Sequence, residues 1–447
     1  GLWGDRRRAR PYTPLPTARP LVPELDPYIT AVPMNIVFSP QADELAATAR
    51  RIADEHVRPN AAKYDKAQEY NYDAARAVAE AGLFRTFVPK KYGGTAAGIL
   101  AMARVTEELA RADSGFGVAF AVNALGSFPI ILGGTEEQKA EWLPQIACGD
   151  KMVAFCLSEK YAGSDAQGLS VTAVKDGDDY IINGEKKWTT NGGVADFYSV
   201  FCVTDASSKS RRISAIMVEK GTPGFTIKKI EDKMGIRCVP VVETHFDNVR
   251  VPKRNLIGGR AGLGFKHAMA TLDYARPGVA AQAVGAAQGA LDLAIVYANR
   301  RKQFGAPISS HQMVQQMLAD MAMQTEASRW LVYRAAAGID SDPKDAANSK
   351  LAAMAKCLAT DNAMKVATDA VQIFGGYGFM EDYPIAKYFR DAKILQIYEG
   401  TNQVQRMVIA RHLIRAVADL DHLNPFIPTE TQLTYAEPEQ AVVNHNT

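Results

Sequence analysis

The apolar period of this chain changes twice, and that limits its fold more than any other feature. Near the start, Leu45, Ala49, Ile52 and Val57 recur at helical spacing. They follow Ser39-Pro40, with Asp43 and Glu44 in the first turn. That is the order of an N-cap, a proline at the first helical position and acids at the positive end of the helix dipole. Helical spacing continues to about Gly149, with breaks at Val88-Pro89 and Tyr92-Gly93-Gly94. Over residues 151–251 the period drops to two, in Val153-Ala154-Phe155-Cys156, Tyr180-Ile181-Ile182, Phe197-Tyr198-Ser199-Val200-Phe201 and Ile213-Ser214-Ala215-Ile216. Asn183-Gly184 predicts a hairpin turn there. Strands do not alternate with helices, so a small barrel or sandwich is expected rather than a parallel sheet. After Gly264 the helical period returns in four long segments, punctuated by Gly305-Ala306-Pro307, Gly338 to Pro343 and Gly375-Gly376. Met317, Met321 and Met323 are expected as core filler of a four-helix bundle.

The predicted fold class is α+β. An N-terminal helical domain spans residues 37–150, a central β-barrel or sandwich domain 151–260 and a C-terminal four-helix bundle 261–418. A polar, proline-bearing extended tail follows over 419–447. A chain of 447 residues is long enough for several domains. A net charge of +2 is too balanced for a nucleic-acid binder. No stretch of 18 apolar residues free of charge is expected, hence no membrane span. The five cysteines form no CxxC pair and the seven histidines show no ligand spacing, so no metal site is predicted. Residues 1–36 carry Arg6, Arg7, Arg8, Arg10 and Arg19 among prolines. This acid-poor lead reads as the remnant of a transit peptide and predicts the mitochondrial matrix.

The residues with most chemical content lie towards the C-terminus: Gly375-Gly376-Tyr377-Gly378-Phe379, Arg390-Asp391-Ala392-Lys393 and Tyr398-Glu399-Gly400-Thr401-Asn402-Gln403. They set one carboxylate, Glu399, among apolar and aromatic residues before a Gly-Thr helix start. Burial raises a carboxyl pKa and makes a usable base; the alternative is a surface Glu in an interhelical loop. Three other stretches suit an anionic, aromatic ligand. In Ser158-Glu159-Lys160-Tyr161-Ala162-Gly163-Ser164-Asp165, small residues let N–H groups approach an anion and Ser164 adds a hydroxyl. Asn183-Gly184-Glu185-Lys186-Lys187-Trp188-Thr189-Thr190-Asn191-Gly192 sets an indole beside a hydroxyl. In Arg301-Lys302-Gln303-Phe304-Gly305 the planar fork of Arg suits pyrophosphate and Phe offers a stacking face.

Taken in order, these stretches resemble the acyl-CoA dehydrogenases over roughly residues 37–417. The resemblance implies a flavoprotein that holds FAD and uses Glu399 to remove a substrate proton. Residues 158–165 resemble the flavin-pyrophosphate loop, with Ser158 in place of Thr and Lys160 in place of Pro. Phe155, Leu157, Ser158, Gly163 and Ser164 are implied there as FAD contacts. Trp188 would flank the isoalloxazine and Thr190 would hydrogen-bond it. Arg301, Gln303 and Phe304 would reach the FAD of a neighbouring subunit. Gln372, Gly375 and Gly376 would contact the adenosine, and Thr401 and Gln403 the pyrophosphate or ribose. Ser164, Asp273, Arg276, Tyr398 and Gly400 are implied as substrate contacts, with Asp273 and Arg276 near the CoA moiety. Some members carry the base at the position of Ala275, which leaves Glu399 as the sole candidate here. Val239 and Val241 depart from the family's polar pattern.

The implied activity is α,β-dehydrogenation of a short- to medium-chain acyl-CoA to trans-2-enoyl-CoA, with hydride transfer to flavin N5. Electrons would pass to an electron-transferring flavoprotein, in fatty acid β-oxidation, and the family is usually a homotetramer. Residues 114–129 are expected to line the acyl cavity, with Ala119 and Ala121 leaving room and Phe116, Phe120 and Val122 closing it. The alternative is a structural or assembly subunit of a larger mitochondrial complex, suggested by the arginine-rich lead, the proline-bearing tail, Lys160 and the two valines. A flavin oxidase of the same fold is a third reading.

Overall fold

The structure is a computed structural model that describes residue 36 and residues 38–427. The arginine-rich lead and the tail beyond residue 427 lie outside the described residues. The chain opens with α1 (Pro40–Ile52), where the Ser39 side chain accepts from the Ala42 amide and proline occupies the first turn. Next come α2 (Ala61–Ala67), α3 (Tyr72–Glu80), α4 (Gly98–Ala112), α5 (Ser114–Gly133) and α6 (Glu136–Ala147). Short 3-10 turns at Leu83–Phe87 and Lys90–Tyr92 bracket Pro89, whose ring cannot continue a helix.

One expectation fails in α5. Its 20 residues carry no charge and are long and apolar enough to cross a membrane by length and composition, as are those of α7 (Gly264–Arg300). Both helices are instead largely buried inside the fold, 83% of the most apolar window in α5 and 72% in α7. α5 packs against α4, α7 and the edge of the central sheet, so apolar residues on every face find partners.

That sheet has seven strands: β1 (Val153–Cys156), β2 (Thr172–Asp176), β3 (Asp179–Thr190), β4 (Phe197–Val203), β5 (Ile213–Glu219), β6 (Phe225–Ile230) and β7 (Val241–Pro252). The order is β1-β4-β2-β3-β7-β6, with β5 beside β4. Pairs are antiparallel except β4 with β1 and with β2. The Asn183-Gly184 hairpin is a second correction. β2 turns into β3 at Gly177 (φ 60°), with Asp176 paired to Asp179. Asn183-Gly184 instead forms a bulge inside β3, where the register against β7 slips between Ile182 and Gly184. Pairing to β2 on one side and β7 on the other holds the chain extended, overriding the local turn preference.

The C-terminal helices are α7, α8 (Gln312–Ser341), α9 (Ala347–Phe374), α10 (Ile385–Leu395) and α11 (Asn402–Arg415). The fourth of the expected long segments is therefore two helices, broken over residues 396–401. The methionines of α8 also divide. Met321 is fully buried, Met317 is half-buried and Met323 is exposed. Positions two apart on a helix cannot share a face. The chain after α11 continues as 3-10 helix over Val417–Phe426 rather than starting an extended tail at residue 419.

Candidate active site

The sheet side of the site begins where β1 ends. From Cys156 the chain passes through Leu157 and Ser158 into the loop that carries Gly163 and Ser164. A buried ion pair anchors this loop. The Glu159 carboxylate accepts from Lys186 Nζ at 2.7 Å, Ser170 N at 2.7 Å, Ser170 Oγ at 2.6 Å and Val171 N at 3.0 Å. Lys186 Nζ also donates to the Leu157 carbonyl at 2.9 Å, and Lys187 N donates to the Ser158 carbonyl at 2.9 Å. Burial pushes the Glu159 carboxyl up, but the charge and hydrogen bond of Lys186 outweigh it and hold the group below the ordinary range. No spacing rule links these partners, which lie 27 residues apart. Above the anchor, Gly163 and Ser164 are exposed, and a Cβ added at Gly163 would meet nothing within 4 Å. Lys160 Nζ lies 5.1 Å from the centre of the Tyr161 ring.

β3 carries a second irregularity, between Lys186 and Thr189. Trp188 sits in it with φ 58° and is 53% exposed. A bulky residue with positive φ is uncommon, and a bulge re-aims the side chain it carries. Thr189 turns inward towards Cys156 Sγ at 3.5 Å, and Thr190 is half-buried. Phe155 is half-buried, its ring centre 4.9 Å from that of Phe201. At the end of β3, the Asn191 amide donates to the Ala119 carbonyl of α5 at 3.0 Å. Val239 and Val241 are buried.

The second group surrounds the break between α10 and α11. Glu399 adopts φ 52° and Gly400 φ 89°. Thr401 caps α11 by accepting from Val404 N at 3.2 Å, and Gln403 is exposed in the first turn. A Cβ on Gly400 would fall 2.3 Å from Gln405 Nε2, which donates to the Gly400 carbonyl at 3.1 Å and to the Glu399 carbonyl at 3.3 Å. The Tyr398 hydroxyl donates to Gln282 Oε1, and Gln282 Nε2 donates to the Ser114 carbonyl at 2.7 Å. The turn is thereby tied to α7 and to the start of α5.

Glu399 is half-buried as a residue, yet its Oε2 is shielded from solvent and has no hydrogen-bond partner. Its backbone N–H also has no acceptor among the described residues. Burial pushes the Glu399 carboxyl up to about 7, against the opposing charges of Arg276 and Lys356. Arg276 is buried, bonded to Asp273 Oδ1 at 2.5 Å, with its Nε unpartnered. Its Nη2 lies 4.0 Å from where a Cβ on Gly400 would be, so the structure puts Arg276 at the turn itself. Ala275, also buried, offers no rival base.

The third group lies at the far end of α7 and α9. Arg301 leads into a small hairpin in which Gln303 pairs with Ala306. At its tip Phe304 has φ 51° and is 96% exposed. The Arg301 guanidinium lies 5.4 Å from the Tyr377 ring centre. Gln372 is exposed, and a Cβ on Gly375 or Gly376 would meet nothing within 4 Å. Among the described residues, no hydrogen bond or ring contact joins this group to the other two.

These residues fit a flavin nucleotide. An exposed indole is aimed outward by a bulge, the loop after β1 is open at Gly163, and open glycines at 375 and 376 adjoin an arginine. That combination offers a stacking face, close backbone approach and a cation for pyrophosphate.

Three family models match the chain. They are the acyl-CoA dehydrogenase N-terminal domain over residues 39–150, the middle domain over 154–249 and the C-terminal domain over 262–414. The chain is 48% identical over 373 residues to the probable acyl-CoA dehydrogenase fadE25 of Mycobacterium leprae, covering 83% of this chain and 95% of that protein. Butyryl-CoA dehydrogenase from Megasphaera elsdenii matches with 42% identity and a TM-score of 0.83, over 86% of this chain and 100% of that one. A chain from the structure of the electron transferring flavoprotein of Acidaminococcus fermentans matches with 46% identity and a TM-score of 0.83, again over 86% and 100%.

Proposed function

The chain belongs to the acyl-CoA dehydrogenase family and is an enzyme, and on that premise we propose that it converts a straight-chain acyl-CoA of short to medium length to the trans-2-enoyl-CoA. Glu399 Oε2 takes the proton from the α carbon. FAD, when bound, supplies the acceptor for the hydride that leaves the β carbon. An α proton of a thioester is too weak an acid for a carboxylate in water, and two features of this chain narrow the gap. Desolvation makes the carboxylate a stronger base. The free N–H of Glu399 is available to donate to the thioester oxygen as negative charge develops there. Trp188, Thr190 and the loop through Ser158, Gly163 and Ser164 would hold the flavin.

The observation that carries this reading is the solvent-shielded, unpartnered Oε2 of Glu399, in a turn with no other base. Short to medium length is supported by the tight packing of α5. Phe120 is buried against Phe84 and Phe87, with ring centres 5.7 and 6.2 Å apart, and Phe128 lies 5.8 Å from Tyr274 of α7. The butyryl-CoA dehydrogenase likeness points the same way. An electron-transferring flavoprotein is the proposed electron acceptor. A homotetramer is the proposed assembly, in keeping with the exposed Met323, Met407, Ile414 and Phe304 of the single chain.

The test is an anaerobic titration of the purified flavoprotein with butanoyl-, octanoyl- and palmitoyl-CoA, followed by flavin absorbance. One of the first two should bleach it. Glu399→Gln should keep its flavin and bind acyl-CoA but bleach about 10²–10⁴-fold more slowly. Near-wild-type bleaching by that variant would sink the assignment of the base, and preference for palmitoyl-CoA the chain length.

A further inference from the structure

Lys356 lies in the middle of α9 with no solvent exposure. Its Nζ donates to the Gly400 carbonyl at 2.8 Å and to Asn402 Oδ1 at 2.8 Å. Both acceptors are neutral, and no carboxylate lies within salt-bridge distance among the described residues. A buried ammonium so placed is costly, and a methionine of similar length would fill the space without that cost. Asn402 is itself fixed, since its amide donates to Thr360 Oγ1 at 2.8 Å and Asp361 Oδ1 at 2.7 Å. Its oxygen is thus turned towards Lys356.

The charges around the turn pair off and leave this one over. From α7, Arg276 is bonded to Asp273. From α9 and α11, Asp361 is bonded to Arg406 at 2.6 Å. Cys357 borders the turn, its Sγ 3.8 Å from the Asn402 carbonyl, and His412 lies further along α11 beside Asp273. Burial pushes the Cys357 thiol up, and burial pushes the His412 ring down, so both favour their neutral forms. Tyr398 is committed to Gln282 and burial keeps it neutral. Among the described residues, Lys356 is thus a fully buried cation on this turn with no carboxylate within salt-bridge distance.

We propose that Lys356 is a positioning residue for the proton abstraction: its ammonium clamps the Glu399–Gly400 turn by the Gly400 carbonyl and supplies a positive charge that favours the carboxylate form of Glu399. The inference rests on Glu399 being the base. The mutual effect runs the other way as well. Burial lowers Lys356 to about 8, and the Glu399 charge is the first influence opposing that fall.

The experiment compares anaerobic flavin bleaching by butanoyl-CoA across pH for the wild-type holoenzyme, Lys356→Met and Lys356→Gln. Gln keeps a donor for the Gly400 carbonyl but not the charge. Loss of a nearby buried cation should move the acid limb of the rate profile upward by about one pH unit or more, slowing bleaching about tenfold on that limb. The same displacement in both variants is expected. A limb that stays at the wild-type pH in both, whether or not the plateau rate drops, overturns the inference, because a merely structural role lowers the rate equally at every pH. Loss of flavin by both variants also overturns it, since Lys356 would then serve the fold. If wild type itself bleaches with none of the three acyl-CoAs, the proposed function fails; a bleaching wild type with unmoved variant limbs fails this inference alone.

Discussion

Lys387 of α10 donates a 2.6 Å hydrogen bond to Oδ1 of Asp113, which lies 274 residues earlier in the chain. The same ammonium donates to Asp391 Oδ2 at 2.5 Å. Asp113 also accepts from Gly115 N at 2.8 Å, capping α5. Asp391 Oδ1 accepts from Ile236 N at 2.6 Å, in the segment before β7. One buried cation thus joins the N-terminal helices, the sheet region and the helix that leads to Glu399.

Removing that cation should be severe. Lys387→Met leaves two buried carboxylates without their shared cation and should destabilise the fold by about 3–5 kcal/mol. Urea denaturation followed by far-UV circular dichroism reads this directly. A change under about 1 kcal/mol would mean that the cluster relaxes or takes up water.

The pH behaviour of Glu399 has opposite signs for rate and for stability. As the proposed base, Glu399 has to act as carboxylate, so bleaching should fall about tenfold per pH unit below about 7. In the folded chain the carboxyl is raised from its ordinary 4.5. Between these values the native state binds a proton that the unfolded chain has lost, and stability declines as pH rises. Glu399→Gln removes that decline. It should be more stable than wild type by about 2 kcal/mol above pH 7, after allowance for partial exposure, with the difference vanishing as pH approaches 4.5. A gap that is the same at both ends of the range would contradict a raised carboxyl.

Lys186→Met strands the Glu159 carboxylate in the interior, where it loses one of four hydrogen bonds and, among the described residues, its only cation within 4 Å. A loss of about 3–5 kcal/mol is expected. Flavin content should fall with it, because the same ammonium holds the Leu157 carbonyl at the root of the open loop. The ratio of flavin to protein absorbance after gel filtration measures this. Full flavin occupancy in a stably folded variant would show that the loop does not need its anchor.

Trp188→Ala removes an exposed indole and leaves a non-glycine residue at φ 58°, so the strain remains and the aromatic face is lost. Stability should change by less than about 1 kcal/mol, since little buried area is removed. Flavin affinity should drop by about tenfold or more, the scale of a lost aromatic stack. Equal flavin affinity in the two proteins would move Trp188 out of the cofactor site.

Much of this was legible in the sequence because it is local. The alternation of period marks where the helices end and the sheet begins, and the Tyr398-Glu399-Gly400-Thr401 run presents the proposed base and the cap of the next helix within four residues. The omissions are long-range. Glu159 and Lys186, Lys356 and Gly400, Asp113 and Lys387 meet only once the chain has folded. A lysine inside an Ala-rich helix looks like a solvated one until its neighbours are known. Asn183-Gly184 failed for the related reason that a turn preference was overruled by strands on both sides. The charge-free α5 shows the converse, where composition suited two environments and only the surrounding helices and sheet decide between them.

The left-handed backbone at Glu399 bears on how this protein can change over generations. Of the non-glycine residues, Asn and Asp tolerate that conformation best, and a β-branched residue tolerates it worst. Glycine or asparagine at position 399 would relax the turn and would no longer bury a carboxylate. Such substitutions should yield a sturdier chain that no longer turns over. Selection for thermal endurance alone would therefore drift towards an inert protein at this position, if Glu399 is the base as proposed.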